Sequence, residues 1–128
     1  MNIWENFNFK ERTGTSAYDL LVAQNDSFVA KTGGVLSLAV ESINSSDHLI
    51  YKLYIVADTL GGYRKHILDV KENDRTNYFP VYISSSLTEK SMSFVTAMDF
   101  LTKLEEMLTS PTIKRTIENL FQQANENK

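Results

Sequence analysis

Four segments of alternating apolar and polar residues between positions 35 and 83 most strongly constrain what this chain folds into. Alternation with a period of two predicts β-strands with one apolar face. Short polar or glycine-containing stretches separate the segments, as they do in hairpins. These stretches are residues 45–48, Gly61-Gly62 and residues 73–76. We therefore expect a four-stranded antiparallel meander in the order 1-2-3-4.

The register of the central hairpin follows from its glycines. If Gly61 and Gly62 form a two-residue loop, Leu60 lies opposite Tyr63 and the other pairs follow by counting outward. The expected pairs are Ala57 with His66, Ile55 with Leu68, Leu53 with Val70, Asp58 with Lys65 and Val56 with Ile67. A shift of one residue would turn one strand's apolar side chains to the polar face, so the pattern favours this register.

The two outer hairpins are expected to extend the same apolar face. On one side the expected pairs are Leu38 with Ile55, Val40 with Leu53 and Glu41 with Lys52. On the other side they are Leu68 with Val81 and Val70 with Phe79. Pro80 has no N–H for the strand ladder, so we expect the fourth strand to lie at an edge of the sheet.

A helix is predicted to precede the sheet. Ser16 and Asp19 have the spacing of a capping box, and apolar residues follow from Ala17 to Phe28 at near-helical spacing. We expect one helix, whose weak point is residues 25–27 (Asn-Asp-Ser): these side chains compete for helical backbone hydrogen bonds and could split it into two shorter pieces.

Two further helices are predicted after the sheet. The second helix carries an apolar stripe of Phe94, Met98, Leu101, Leu104 and Leu108. Ser110-Pro111 predicts the start of the third, with serine as N-cap and proline at the first helical position. The stripe of the third helix consists of Ile113, Ile117, Leu120, Phe121 and Ala124, and we expect residues 122–128 to fray.

These elements predict an α+β fold: a helix, a four-stranded antiparallel meander, then two C-terminal helices packed on one sheet face. A chain of 128 residues with 42% hydrophobic residues suffices for one domain with its own core. We expect a single domain over residues 1–128, with an N-terminal arm at 1–15 and a frayed tail at 122–128.

Composition argues against several classes of function. The net charge is -3, from 13 basic and 16 acidic residues mixed along the chain, so no broad basic field would attract nucleic acid or an anionic membrane. There is no cysteine for a disulfide, a thiolate nucleophile or a cysteine zinc site. No secretory signal pattern and no run of 18 apolar residues is present, so we expect a cytoplasmic protein without a membrane partner.

The second sheet face, opposite the apolar core face, is the candidate functional surface. In the expected register it carries Tyr54, Val56, Ile67 and Tyr82 near its centre, with charges toward the rim. Such an arrangement is typical of a protein–protein contact surface. The alternative is that the chain covers this face itself, either with its first helix or with the arm that carries Trp4, Phe7 and Phe9.

Catalytic chemistry has little support. The two histidines, His48 and His66, lie on different elements and show no metal-binding spacing, so we predict neither a metal nor a cofactor nor a catalytic residue. In the expected register His66 points to the core face beside Ala57 and Ile83. A small enzyme or ligand-binding domain with a pocket between sheet and helices near His66 is therefore the first alternative.

The preferred function is that of a small non-catalytic interaction or accessory protein, which acts through the second face by self-association or by binding a protein partner. A second alternative is binding of single-stranded nucleic acid to aromatic and basic residues of the sheet. Those residues are Tyr51, Tyr54, Tyr63, Tyr78, Tyr82, Lys52, Arg64, Lys65 and Lys71.

Overall fold

The computed structural model describes residues 5, 15–44, 48–72 and 77–128. The helices are α1 (Ala17–Ala23), α2 (Asn25–Lys31), α3 (Phe100–Leu108) and α4 (Pro111–Glu126), and the strands are β1 (Ser37–Asn44), β2 (Leu49–Ala57), β3 (Tyr63–Glu72), β4 (Val81–Ser84) and β5 (Ser91–Val95). The strands form one antiparallel sheet in the order β1-β2-β3-β4-β5. The α+β class is thus confirmed, with one strand more than predicted. Most of the expected arm at 1–15 lies outside the described residues.

The first predicted helix is two short helices. Ser16 caps α1 and accepts a hydrogen bond from the Asp19 N–H at 3.1 Å, as the capping pattern predicts. The helix ends at Ala23, and α2 begins at Asn25. The Asn25 Oδ1 accepts the backbone N–H of Leu38 on strand β1 at 2.8 Å. The break therefore allows a polar side chain to bind the outer side of an edge strand.

The predicted register between β1 and β2 is confirmed. Leu38 pairs with Ile55, and Val40 pairs with Leu53. Glu41 pairs with Lys52 on the opposite face.

The predicted two-residue loop between β2 and β3 is wrong. Ala57 pairs with Tyr63, so the connection has five residues: a 3₁₀ turn at Asp58–Leu60, then Gly61 and Gly62, both with positive φ. The Thr59 hydroxyl donates to the backbone carbonyl of Ala124 on α4 at 2.7 Å. This hydrogen bond to a distant helix stabilises the five-residue loop. Local turn chemistry does not predict such a contact.

A β-bulge in β3 changes which residues face the core. Leu53 pairs with Leu68, whereas the next residue, Tyr54, pairs with His66, so Ile67 is an extra residue on β3. Ile67 is fully buried in the hydrophobic core, not on the second face as expected. His66 lies opposite Tyr54 on the second face, not on the core face beside Ala57.

The pairing between β3 and β4 is displaced by four residues from the prediction. Val70 pairs with Ile83, not with Phe79, and Glu72 pairs with Val81. A displacement by an even number keeps each side chain on its expected face, so Val81 and Ile83 are buried in the core.

Strand β4 is not an edge strand, because β5 pairs with it. Pro80 lies just before Val81, where no ladder donor is required. Strand β5 contains a bulge. Met92 pairs with Ile83 and Val95 pairs with Val81, so two residues of β5 lie opposite one residue of β4. Phe94, in this bulge, has φ 57° and is 72% exposed. It does not begin the apolar stripe of a helix, as its spacing suggested, and α3 starts at Phe100.

The junction of α3 and α4 falls where Ser110-Pro111 predicts it. Pro111 occupies the first turn of α4, but the Ser110 hydroxyl donates to the Met107 carbonyl at 2.7 Å and makes no hydrogen bond to α4. Ser110 therefore closes the end of α3 with its side chain. Helix α4 continues to Glu126, beyond the point where we expected fraying, and Ala124 is buried.

All four helices lie over the core face. Residues of every helix line one groove together with Leu53 and Ile55, whose side chains form its floor. Phe100 of α3 is buried and lies edge-on to Phe79, with 5.5 Å between ring centroids. The described part of the chain thus forms two layers, helices on one side and the sheet on the other.

Candidate functional site

The second face carries three of the four residues expected there. Tyr54 and Val56 lie on β2 and Tyr82 on β4, and all three are half-buried. Ile67 is absent from this face because of the bulge. None of the described helices lies on it, so the first helix does not cover it.

The side chains of the second face form four rows across the sheet, as the strand pairing defines them. The rows are Ser37–Val56–Arg64, Ala39–Tyr54–His66, Glu41–Lys52–Asp69–Ser84 and Ile43–Ile50–Lys71–Tyr82. Apolar side chains thus occupy both ends of the face, and a charged row separates them. The expected central cluster is two clusters, because Tyr82 is two rows away from Tyr54.

Tyr54 is the centre of one cluster. The guanidinium carbon of Arg64 lies 4.1 Å from the Tyr54 ring centroid, which is a cation–π distance. The His66 ring lies 5.3 Å from the same ring, centroid to centroid. Arg64 also approaches the Glu41 carboxylate at 3.4 Å, an exposed ion pair that adds little stability. The position of the bulge brings Arg64 and His66 to Tyr54, so the sequence pattern alone missed them.

His66 has a carboxylate neighbour. Its Nε2 lies 2.7 Å from Asp69 Oδ1, and both side chains are about one-third exposed. A histidine held by a carboxylate is a familiar base arrangement. The Tyr54 ring packs beside the same imidazole. His66 pairs with Tyr54 on the second face and does not line the groove on the core face, so this groove is not the pocket near His66 that the sequence predicts.

The charged row alternates in sign. Glu41 pairs with Lys52, and Lys52 pairs with Asp69, so a cation lies between two carboxylates on neighbouring strands. Cross-strand pairs of opposite charge stabilise a sheet modestly. The same alternation makes the row complementary to a shifted copy of itself.

A groove lies between the helices and the sheet. It has a volume of about 780 Å³ and separates the α1–α2 pair from the α3–α4 pair. Its lining residues are Leu21, Gln24, Ser27, Phe28, Lys31, Leu38, Leu53, Ile55, Leu101, Leu104, Glu105, Leu108, Thr109 and Ile117. Sequence reasoning anticipated a pocket between sheet and helices, but not these residues.

A buried carboxylate, that of Glu72, lies on the core face outside the groove. Glu72 is 1% exposed, and its Oε1 accepts the Tyr51 hydroxyl at 2.8 Å. The Tyr18 ring of α1 lies 5.5 Å from the Tyr51 ring. The hydrogen bond offsets the cost of burying the carboxylate, and we assign this pair a structural role.

The aromatic residues proposed for nucleic-acid stacking do not share a face. Tyr51 is buried on the core face, and Tyr63 pairs with Ala57 and lines a shallow depression beside α4. Tyr54 and Tyr82 lie on the second face, separated by the charged row. A stacking platform requires rings in succession along one surface, so this arrangement weakens that alternative.

Comparison of the chain with protein-family models, with curated proteins and with solved structures finds no match in any of the three. No helix among the described residues has the length and apolar character needed to cross a membrane. Within the described ranges, no three His, Asp or Glu side chains are grouped to hold a metal ion.

Proposed function

We propose that this protein is a non-catalytic interaction protein that self-associates by packing the second faces of two copies together. The observation that carries this proposal is the layer order: the described helices all lie on the core face, and the opposite face offers apolar side chains at both ends. The cytoplasm stays the proposed location.

The charge pattern favours a second copy over an unrelated partner. A two-fold interface uses the same patch on both chains, so the patch must complement itself. In the row Glu41–Lys52–Asp69, a displacement by one strand brings Lys52 of each copy against a carboxylate of the other. A face of one sign would instead repel its copy.

The test is a pair of charge substitutions at the apolar ends, Val56→Glu with Tyr82→Glu. In the monomer each new carboxylate faces a cation, because Val56 pairs with Arg64 and Tyr82 pairs with Lys71. We therefore expect the fold to remain intact. In a face-to-face dimer the same carboxylates would be buried at the interface, where charge is strongly disfavoured.

The readout is the mass in solution, measured by sedimentation equilibrium. We expect wild type at twice the 14.6 kDa chain mass and the double variant at 14.6 kDa. The matched control is Val22→Glu with Met98→Glu, which adds the same charge at exposed apolar positions on the helical side and should leave the dimer intact. A monomeric wild type at high micromolar concentration would refute self-association.

A second candidate function, ligand binding, is favoured by the apolar groove on the core face. This ligand-binding function is independent of the second face and does not involve His66.

A further inference from the structure

The groove has an apolar interior closed on three sides. Leu38, Leu53 and Ile55 of the sheet form the floor. Leu21 and Phe28 form one wall, and the opposite wall consists of Leu101, Leu104, Leu108 and Ile117 of α3 and α4. A volume of about 780 Å³ falls within the range of small-molecule sites in proteins. The dimensions and lining therefore suit an apolar small molecule.

The two rims of the groove differ in charge. Gln24, Ser27 and Lys31 follow at spacings of three and four, so they form one row on the α1–α2 side. This row combines a cation with two uncharged hydrogen-bonding side chains. The opposite rim carries Glu105 and Thr109 on the α3 side. An anionic group is thus attracted to the Lys31 rim and repelled from the Glu105 rim.

The walls are too short for a docked helix. Most of the wall residues belong to α2 and α3, which have seven and nine residues and at about 1.5 Å per residue extend for roughly 10 to 14 Å. Helices α1 and α4 add Leu21 and Ile117 to the lining. A peptide helix of several turns would extend beyond both walls and leave much of its apolar face in water. A single aliphatic chain of moderate length fits these walls.

We infer that the groove binds a single-chain amphiphile with an anionic head group, of the fatty-acid class. The aliphatic chain lies on Leu53 and Ile55 between the helix pairs, and the carboxylate lies at the rim beside Lys31. This binding site lies on the opposite side of the sheet from the proposed self-association surface. The two proposals therefore succeed or fail independently.

The first test is titration calorimetry of the full chain with hexanoate, octanoate and decanoate, below their micelle concentrations. We expect one molecule bound per chain, with affinity rising roughly fourfold for each added methylene that the groove buries. Decanol, which has the same chain and no charge, should bind roughly two- to fivefold more weakly than decanoate. Equal binding of decanoate and decanol would overturn the inference that the site recognises an anionic head group.

The second test locates the ligand. Leu101→Gln removes an apolar wall residue that is 46% exposed, and Val22→Gln makes a similar change at a residue 44% exposed outside the groove. We expect Leu101→Gln to weaken decanoate binding roughly fivefold and Val22→Gln to leave it unchanged. Both variants should unfold at the wild-type temperature, because both positions are exposed. Equal weakening by the two variants, or no binding of decanoate to wild type, would overturn the groove as the site.

The third test concerns Lys31. Lys31→Gln should lower decanoate affinity to that of decanol, while Lys114→Gln, an exposed position on α4 away from the groove, should have no effect. An unchanged preference for decanoate in Lys31→Gln would show that this lysine does not recognise the head group. The Val56→Glu/Tyr82→Glu variant should bind decanoate with wild-type affinity, whether it is monomeric or dimeric.

Discussion

At the scale of the residue, Asn25 shows how an unfavourable helical residue is used by the tertiary structure. Asparagine has a low helix propensity, and the helix is interrupted at Gln24, just before Asn25. Its side chain binds the N–H of Leu38, which points away from the sheet on edge strand β1. Edge strands with free N–H groups recruit other chains, so Asn25 also protects this edge.

We predict that Asn25→Ala lowers the free energy of unfolding by about 1 kcal/mol, because the Leu38 N–H loses its acceptor. This loss should exceed the gain from alanine's better helix propensity. Asn25→Asp keeps an acceptor oxygen at the same position and should remain within about 0.5 kcal/mol of wild type. Urea denaturation of the three proteins measures the difference, and equal losses in both variants would contradict the proposed role.

At the scale of the element, the bulge in β3 decides the character of both faces. Ile67 interrupts the alternation, so the residues before it lie on faces opposite to those that the regular pattern predicts. The Ser85 hydroxyl donates to the Ile67 carbonyl and also accepts the Leu87 N–H at 3.1 Å. A residue beyond the end of β4 thus supplies the hydrogen bond that the bulge requires.

Replacing Ser85 with alanine should cost about 2 kcal/mol, because two partly buried hydrogen bonds are lost. The neighbouring Ser86 is exposed, and Ser86→Ala should change stability by less than about 0.5 kcal/mol. Chemical denaturation with matched m-values provides the comparison. If the two serine variants were equally stable, Ser85 would not support the bulge.

At the scale of the whole molecule, the fold separates a helix-covered core face from the second face. Residues of the α1–α2 pair, of the α3–α4 pair and of the central strands are buried on the core face. Tyr54, Val56 and Tyr82 are only half-buried on the second face. Each face has its own candidate role: the second face for self-association, and the groove on the core face for an amphiphile.

A pair of alanine substitutions tests this division. Ile67→Ala should destabilise the protein by about 2 to 5 kcal/mol, because it leaves a cavity in the core. Val56→Ala, a similar truncation on the second face, should cost less than about 1 kcal/mol in the monomer. The unfolding free energy should be measured at concentrations where only the monomer is present. A larger loss for Val56→Ala would mean that Val56, not Ile67, belongs to the core.

The sequence by itself determined the class, the positions of four strands, the β1–β2 register, the cap at Ser16 and the helix start at Pro111. These features follow from local periodicity and local backbone chemistry, which a single sequence displays directly. The tertiary structure decided the five-residue loop, the bulge at Ile67, strand β5, the placement of His66 and the residues of the groove. Each of these depends on contacts between distant segments, such as Thr59 with Ala124 and Ser85 with Ile67, and no local pattern records them. One extra residue in a strand is enough to exchange its faces, because side chains alternate with a period of two.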